Sequence, residues 1–246
     1  SSLPSGAYAS FAYDPKNSAI QYAATGVTIR KSSDNGSTWM TVYTDARGQA
    51  MTALIVDWYD DARVFAATST GTILKSLDYG SSWSVQRQSG DTIRSFLASS
   101  QDSRVLYAVT AATGLLKTVN SGDEWTQVPG LSNYAGASKI HGITEVADSM
   151  YLATDYGLLV SADGGSSWKP ITTLVSFGTL PLQTIAVDPN NTNVMYFSVR
   201  NLIHVTEDGG AQWRTIATIP TKRRINTLII LPSQSASLFV GVIKQK

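Results

Sequence analysis

Short apolar runs alternate with polar turns along the whole chain, and hardly any stretch carries the wider spacing of an amphipathic helix. In one copy the runs fall at Thr52–Asp57, Val64–Thr68, Thr72–Ser76 and Ser82–Gln86, rich in the β-branched and aromatic residues that suit strands. The second run is phase-locked along the chain. It reads Tyr22-Ala23-Ala24-Thr25, Phe65-Ala66-Ala67-Thr68, Tyr107-Ala108-Val109-Thr110, Tyr151-Leu152-Ala153-Thr154, Tyr196-Phe197-Ser198-Val199 and Phe239-Val240-Gly241-Val242, at spacings of 43, 42, 44, 45 and 43 residues. Upstream of it a β-branched or aromatic run ends in a turn, as in Ile185-Ala186-Val187-Asp188-Pro189-Asn190-Asn191 and Phe11-Ala12-Tyr13-Asp14-Pro15. Four short strands per repeat of this length predict an all-β fold, a β-propeller of four-stranded antiparallel blades. A single blade cannot cover its own faces, so neighbours stack and bury each other.

The blades fall at about 7–48, 49–91, 92–138, 139–181 and 182–224, followed by half a blade at 225–246 with strands near Asn226–Leu231 and Leu238–Val242. The whole chain, 1–246, therefore reads as a single propeller domain with five complete blades and half of another. Half a blade leaves open strand edges. This predicts that an upstream segment supplies the outer strands, and that the intact ring has six or seven blades.

Between the third and fourth runs lies a recurring octet. It reads Ser32-Ser33-Asp34-Asn35-Gly36-Ser37-Thr38-Trp39 in the first copy and returns four times. Its key positions are Asp34, Gly36 and Trp39; Asp78, Gly80 and Trp83; Asn120, Gly122 and Trp125; Asp163, Gly165 and Trp168; and Asp208, Gly210 and Trp213. The tryptophans are 44, 42, 43 and 45 residues apart, and five of the six in the chain occupy this slot. Each position has a folding role. The glycine gives a positive φ where the chain reverses. The Asp or Asn, with the hydroxyl two residues before it, can cage the turn's N–H groups. The tryptophan then opens the outer strand and can wedge against a neighbouring sheet. These carboxylates are spread around the repeat and cannot converge on one substrate, so they read as structural.

The octets resemble the Asp-box, or bacterial neuraminidase repeat, found in the propellers of sialidases, xyloglucanase-type glycoside hydrolases, the sortilin ectodomain and photosystem II stability/assembly factors. The resemblance covers nearly the whole chain. The spacing and the phrase running from Ile185 to Tyr196 are most similar to the assembly-factor and xyloglucanase blades. It implies the fold firmly and no single activity, because the shared motif sits on a turn rather than in a site.

Composition narrows the function classes. Hydrophobic residues make up 43% of the 246, enough for a real core, and the net charge of +1 gives no field that would draw nucleic acid or an anionic membrane. With no cysteine there is no disulfide, thiolate metal site or cysteine nucleophile. No apolar run approaches a membrane span of about 20 residues. The chain opens on Ser1-Ser2-Leu3-Pro4-Ser5-Gly6 with neither an initiator Met nor a signal peptide, and reads as a mature or trimmed product. The expectation is an extracytoplasmic bacterial protein, secreted, periplasmic or at the cell surface, with room for a membrane anchor in a missing N-terminus.

A functional face follows from topology. Octet turns and first-to-second-strand turns share one end of the strands, while second-to-third turns and blade-to-blade connections share the other, where loops gather. That end carries Asp45, Arg47 and Gln49; Arg87, Asp91 and Arg94; Tyr134, Lys139 and His141; Asp155 and Tyr156; Phe177; Arg200 and Asn201; and the cation run Lys222, Arg223 and Arg224. Arg47, Arg87, Tyr134, His141, Tyr156, Arg200, Lys222, Arg223 and Arg224 form the candidate binding rim, suited to a protein partner or a surface glycan. No nucleic acid, cofactor or metal is expected. The two histidines, His141 and His204, are too few for a metal site and lie in different slots.

Enzymatic readings are poorer. The Arg-Ile-Pro motif of sialidases is absent from this chain. A xyloglucanase-like hydrolase needs two facing carboxylates. Asp155, in Ala153-Thr154-Asp155-Tyr156-Gly157-Leu158, is similar in context to that family's catalytic Asp, with Asp45 or Asp91 as the only partners on offer. A turn role before Gly157 is the simpler account of Asp155. The expectation is a non-enzymatic binding or scaffolding propeller, with a glycoside hydrolase as the alternative.

Overall fold

A computed structural model describes residues 8–218 and 223–243. It divides into two compact units, Ser1–Gln127 and Val128–Lys246.

The first unit holds three four-stranded antiparallel sheets, each in chain order. They are β1 (Tyr8–Tyr13), β2 (Gln21–Thr25), β3 (Thr28–Ser32) and β4 (Met40–Thr44); β5 (Met51–Val56), β6 (Val64–Thr68), β7 (Thr72–Ser76) and β8 (Ser84–Gln88); and β9 (Ile93–Ala98), β10 (Leu106–Thr110), β11 (Leu115–Thr118) and β12 (Thr126–Gln127). The second unit opens on a 3-10 turn, Leu131–Asn133. Two four-stranded sheets follow: β13 (Ile140–Val146), β14 (Ser149–Thr154), β15 (Leu158–Ser161) and β16 (Lys169–Ile171), then β17 (Thr184–Asp188), β18 (Asn191–Val199), β19 (Leu202–Thr206) and β20 (Arg214–Thr218). A two-stranded sheet of β21 (Arg224–Leu231) and β22 (Gln234–Ile243) ends the unit. Within each unit the first strands of successive sheets pack side by side.

The octets behave as their residue types dictate. In the first, the Ser32 hydroxyl accepts from Gly36 N–H at 2.8 Å and donates to Asp34 Oδ1 at 2.8 Å. Asp34 in turn accepts from Thr38 N–H at 2.8 Å and from the Thr38 hydroxyl at 2.7 Å. The same cage forms around Asp78 and Asp163. Around Asn120 and Asp208 the same bonds form except the last, because Glu124 and Gln212 carry no hydroxyl. These hydrogen bonds favour the ionised carboxylate, so Asp34, Asp78 and Asp163 are held down at about 2. The octet glycines all have positive φ, and so do the residues before them, including the non-glycines Asn35, Tyr79 and Ser121 at 57°, 57° and 59°. Two successive left-handed residues reverse the chain tightly.

Two boundaries differ from expectation. The outer strand starts one residue after the tryptophan, at Met40, Ser84, Thr126, Lys169 and Arg214. In the first three octets the indole N–H turns back to the octet glycine's carbonyl, at 3.0–3.2 Å, which keeps the tryptophan in the turn. The final hairpin is longer than the sequence pattern suggests at both strands.

Packing links one repeat to the next. The Tyr22 hydroxyl donates to Tyr79 O at 2.9 Å, and Lys31 Nζ reaches the same carbonyl at 2.8 Å. Burial pushes the Tyr22 phenol well above its ordinary value, with nearby Asp14, Asp61 and Asp78 adding to the shift. Lys75, almost wholly buried, pairs with Asp123 of the next octet at 2.6 Å. The Phe65 ring lies under Gly122 and against Trp125. A Cβ on Gly122 would sit 2.2 Å from the Phe65 ring, at a φ of +85° that L-residues rarely adopt.

That close approach gives a prediction. Gly122→Ala should destabilise the protein by about 2–4 kcal/mol through left-handed strain and overpacking together. Gly26→Ala, at positive φ but with nothing within 4 Å, should cost only about 1 kcal/mol. Urea unfolding of both variants measures the difference.

Candidate functional site

In the first unit the loop-end acidic residues are turn formers. Asp45 Oδ1 accepts from Arg47 N–H at 2.9 Å and Gln49 N–H at 3.0 Å. Asp91 Oδ2 accepts from the N–H groups of Ala112 and Thr113 at 2.8 Å and from the Thr113 hydroxyl at 3.0 Å. Burial works to raise the Asp91 carboxyl, but these hydrogen bonds outweigh it and hold the group below its usual range. One oxygen of each carboxylate is thus engaged by backbone N–H groups. Arg87 is half-buried and donates to Trp125 O at 2.7 Å, tying two sheets together. Arg47 is exposed. Arg94, also exposed, is the unpaired residue of a β-bulge between Ile93 and Ser95.

The second unit builds a denser group. His141 lies inside β13 rather than in the preceding loop. It is the extra residue of a bulge, since Ile140 pairs with Thr154 and Gly142 with Ala153. Such a bulge re-aims a side chain. Here His141 Nε2 meets Asp155 Oδ1 at 2.6 Å, and Lys139 Nζ stands 3.5 Å from Asp155 Oδ2. Asp155 lies on the β14–β15 turn, but its carboxylate is engaged by these two side chains. The turn itself is held by Thr154, whose hydroxyl accepts from Tyr156 and Gly157 N–H and donates to Gly157 O.

Beside this group three aromatic rings line up. Tyr156 stacks on Phe177 with centroids 4.8 Å apart and planes 7° from parallel, and Tyr134 meets Tyr156 at 5.1 Å. Phe177 and Leu174 on the same loop are 38% and 57% exposed, so the stack ends in an open apolar face. Backbone contacts set the rings: Gly178 N–H bonds Tyr156 O at 2.8 Å, and Leu182 N–H bonds Thr154 O at 3.1 Å. Gly157, at φ +148°, has no Cβ to collide with Phe177, which would lie 2.9 Å from it.

The octet tryptophans fasten the loops that carry these rings. Trp168 Nε1 donates to Pro129 O at 3.2 Å, and Trp213 Nε1 to Thr172 O at 2.8 Å, instead of to their own glycines. The Tyr134 hydroxyl donates back to Trp168 O at 2.7 Å. The octet tryptophans thereby tie down the segments that lead into the loops carrying Tyr134 and Phe177.

The basic residues form a second group. Arg200, at φ 55°, sits on the β18–β19 turn, and its carbonyl accepts from Ile225 N–H at 3.4 Å. This places it beside Arg223 and Arg224, both exposed at the start of β21. Lys222 lies outside the described residues. His204 is a buried strand residue in β19, stacked on Phe197 and bonded to the Thr215 hydroxyl, and burial lowers its pKa. Among the described residues no three or more His, Cys, Asp or Glu side chains gather as a metal site, and no helix is long and apolar enough to cross a membrane.

Sequence reasoning found Tyr134, Lys139, His141, Asp155, Tyr156 and Phe177 one at a time. It did not bring them together, because the bulge and the two loop anchors carry no local signature.

No protein-family model and no curated protein matches the sequence. Solved structures do. An ancestral GH74 enzyme superposes with a TM-score of 0.82 at 19% identity, covering 98% of this chain and 35% of the other. The extracellular domain of a one component system from B. thetaiotaomicron gives 0.70 at 14%, covering 96% and 31%. YCF48 bound to D1 peptide gives 0.57 at 11%, covering 98% and 92%. This chain thus spans about a third of the length of the first two. At these identities the likeness establishes fold alone: the protein is an all-β chain of the β-propeller class.

Gly157→Ala should displace Phe177 and leave the sheets intact. The expected result is a changed aromatic near-UV CD signal with an unchanged far-UV spectrum. An unchanged near-UV spectrum would show that the stack does not depend on that glycine.

Proposed function

We propose that this propeller is a non-enzymatic, extracytoplasmic binding or scaffolding module of bacterial origin. Its octets are Asp-boxes that build the frame. Its ligand is a protein segment or a surface glycan, taken up along the loop ends of β13–β16 and β17–β20. The observation that carries this reading is the Tyr134–Tyr156–Phe177 stack, open at Phe177 and flanked by Lys139 and His141. Aromatic faces bind sugar rings and peptide side chains alike, through area and the ring quadrupole. The arginines at 200, 223 and 224 add a basic flank for an anionic part of the ligand. YCF48, a propeller of similar fold, is known with a bound peptide, and the one component system's propeller is extracellular; both support the reading by likeness of fold.

The second reading is a glycoside hydrolase, xyloglucanase- or sialidase-like, with part of its site outside this chain. It is favoured by the partly accessible carboxylate of Asp155 and by likeness to a GH74 enzyme. Against it, Asp155 is engaged by His141 and Lys139, and Asp45 and Asp91 form turns.

One set of assays separates these. Calorimetric titration with plant, bacterial and sialylated oligosaccharides and a peptide panel should find binding that Tyr156→Ala and Phe177→Ala each weaken by about tenfold. Reducing-end release from the same sugars should be absent. Turnover that disappears in Asp155→Asn would make the protein a hydrolase. Binding indifferent to both aromatic variants would remove the stack as its site.

A further inference from the structure

In the four-stranded sheets one third-strand position stands opposite a buried or half-buried second-strand residue. It holds Arg30, Leu74, Leu116, Leu159 and His204 in chain order. Leucine is usual there, and His204 alone brings a group that titrates near neutrality. His204 is 4% exposed, and its ring stacks on Phe197 with centroids 4.7 Å apart and planes 22° from parallel. Its Nδ1 bonds the Thr215 hydroxyl at 3.0 Å, while Nε2 is buried with no hydrogen-bond partner. An imidazolium in this slot would keep a charged N–H unmet and away from water, so the slot fits the neutral ring. The charged or titratable side chains on the elements around it are Glu145 of β13, Tyr151 of β14, Lys169 of β16, Asp188 of β17 and, in its own sheet, Arg214 paired with Glu207 at 2.7 Å. Asp188 Oδ1 accepts from Asn190 N–H at 2.9 Å, and none of these groups bonds to His204. Tyr196 and β21, which carries Arg224, pack on the Ile203 side of the strand.

The ring supports a clamp on a ligand loop. Phe197 meets Trp213 edge-on at 4.8 Å, and Trp213 Nε1 donates to Thr172 O at 2.8 Å, at the head of the loop that carries Phe177. His204, Phe197, Trp213 and Thr172 thus form one continuous chain of contacts from a buried strand toward the aromatic stack. We propose that His204 is a proton-operated latch on the Phe177 loop. In mildly acidic solution it takes up a proton and leaves its slot, Phe197 and Trp213 lose their support, and the clamp on Thr172 opens. Burial lowers the His204 pKa in the closed form below the ordinary 6.5, so the opened form binds more protons. The closed form is therefore fully favoured above 6.5 and loses stability as pH falls below it. The latch itself stands apart from the ligand; its consequence, binding that weakens in acid, rests on the reading of the stack as the binding site.

The test is NMR of the indole N–H signals of the full chain, without ligand, between about pH 7.5 and about pH 5. The Trp213 signal, assigned with Trp213→Phe, should leave its hydrogen-bonded position with a midpoint below 6.5. His204→Leu, the residue usual in this slot, and His204→Gln, which keeps a polar group toward Thr215, should both hold the signal in place. His141→Gln should leave the movement intact. A wild-type signal that does not move, a movement that survives in both His204 variants, or one that His141→Gln abolishes would overturn the proposal. Binding of the oligosaccharide or peptide probes should weaken by about tenfold over the same range in the wild type and by clearly less in His204→Leu. A Trp213 movement with no probe bound at any pH would uphold the latch and count against the stack as the ligand site.

Discussion

The hydroxyl–carboxylate cage of the octet is the interaction on which the rest of this structure depends. One Ser or Thr oxygen receives the glycine amide, and one Asp or Asn oxygen receives the amide two residues further on. A tight reversal leaves backbone N–H groups without strand partners, and an unmet buried donor is costly. Meeting those donors with short side chains lets the chain turn within a few residues. The tryptophan that follows is then delivered to the same place in every repeat, where it can seal the seam to the neighbouring sheet or clamp the preceding loop.

That economy at one end of the strands frees the other end. The loops opposite the octets have no shared motif, and their contents differ from repeat to repeat. In the first unit they are short and closed by Asp45 and Asp91. In the second they are long, and Trp168 and Trp213 tie them to Pro129 and Thr172. The result is a set of aromatic rings held rigidly enough to be a platform, beside a His141–Asp155–Lys139 group whose charges are mutually engaged. The proposed recognition role rests on these ring faces and the charges beside them.

Much of the fold was legible in the sequence because its determinants are local and repeated. Asp, Gly and Trp at fixed offsets specify a turn, and the Tyr/Phe slot specifies the buried second strand. The site was legible only as separate residues. A bulge at His141 is decided by pairing between β13 and β14, not by the identity of the histidine. The Tyr156–Phe177 stack depends on a hydrogen bond from Gly178 across two loops. The tryptophan pattern even misled slightly: the same residue bonds its own glycine in three octets and a distant carbonyl in two, and only tertiary context distinguishes them.

Acid unfolding tests the central role of the cage most directly. The Asp34, Asp78 and Asp163 carboxyls are held down from 3.8 to about 2 in the folded protein. A depressed carboxyl contributes stability above its unfolded pKa and loses it as pH falls through the folded one. Asn is already accommodated at position 120. Unfolding free energies of the wild type and of the triple Asp→Asn variant at these three positions should therefore be compared as pH is lowered. The account predicts a wild-type advantage near neutrality that shrinks as pH falls from 3.8 toward 2. An advantage independent of pH, or none at neutrality, would contradict it.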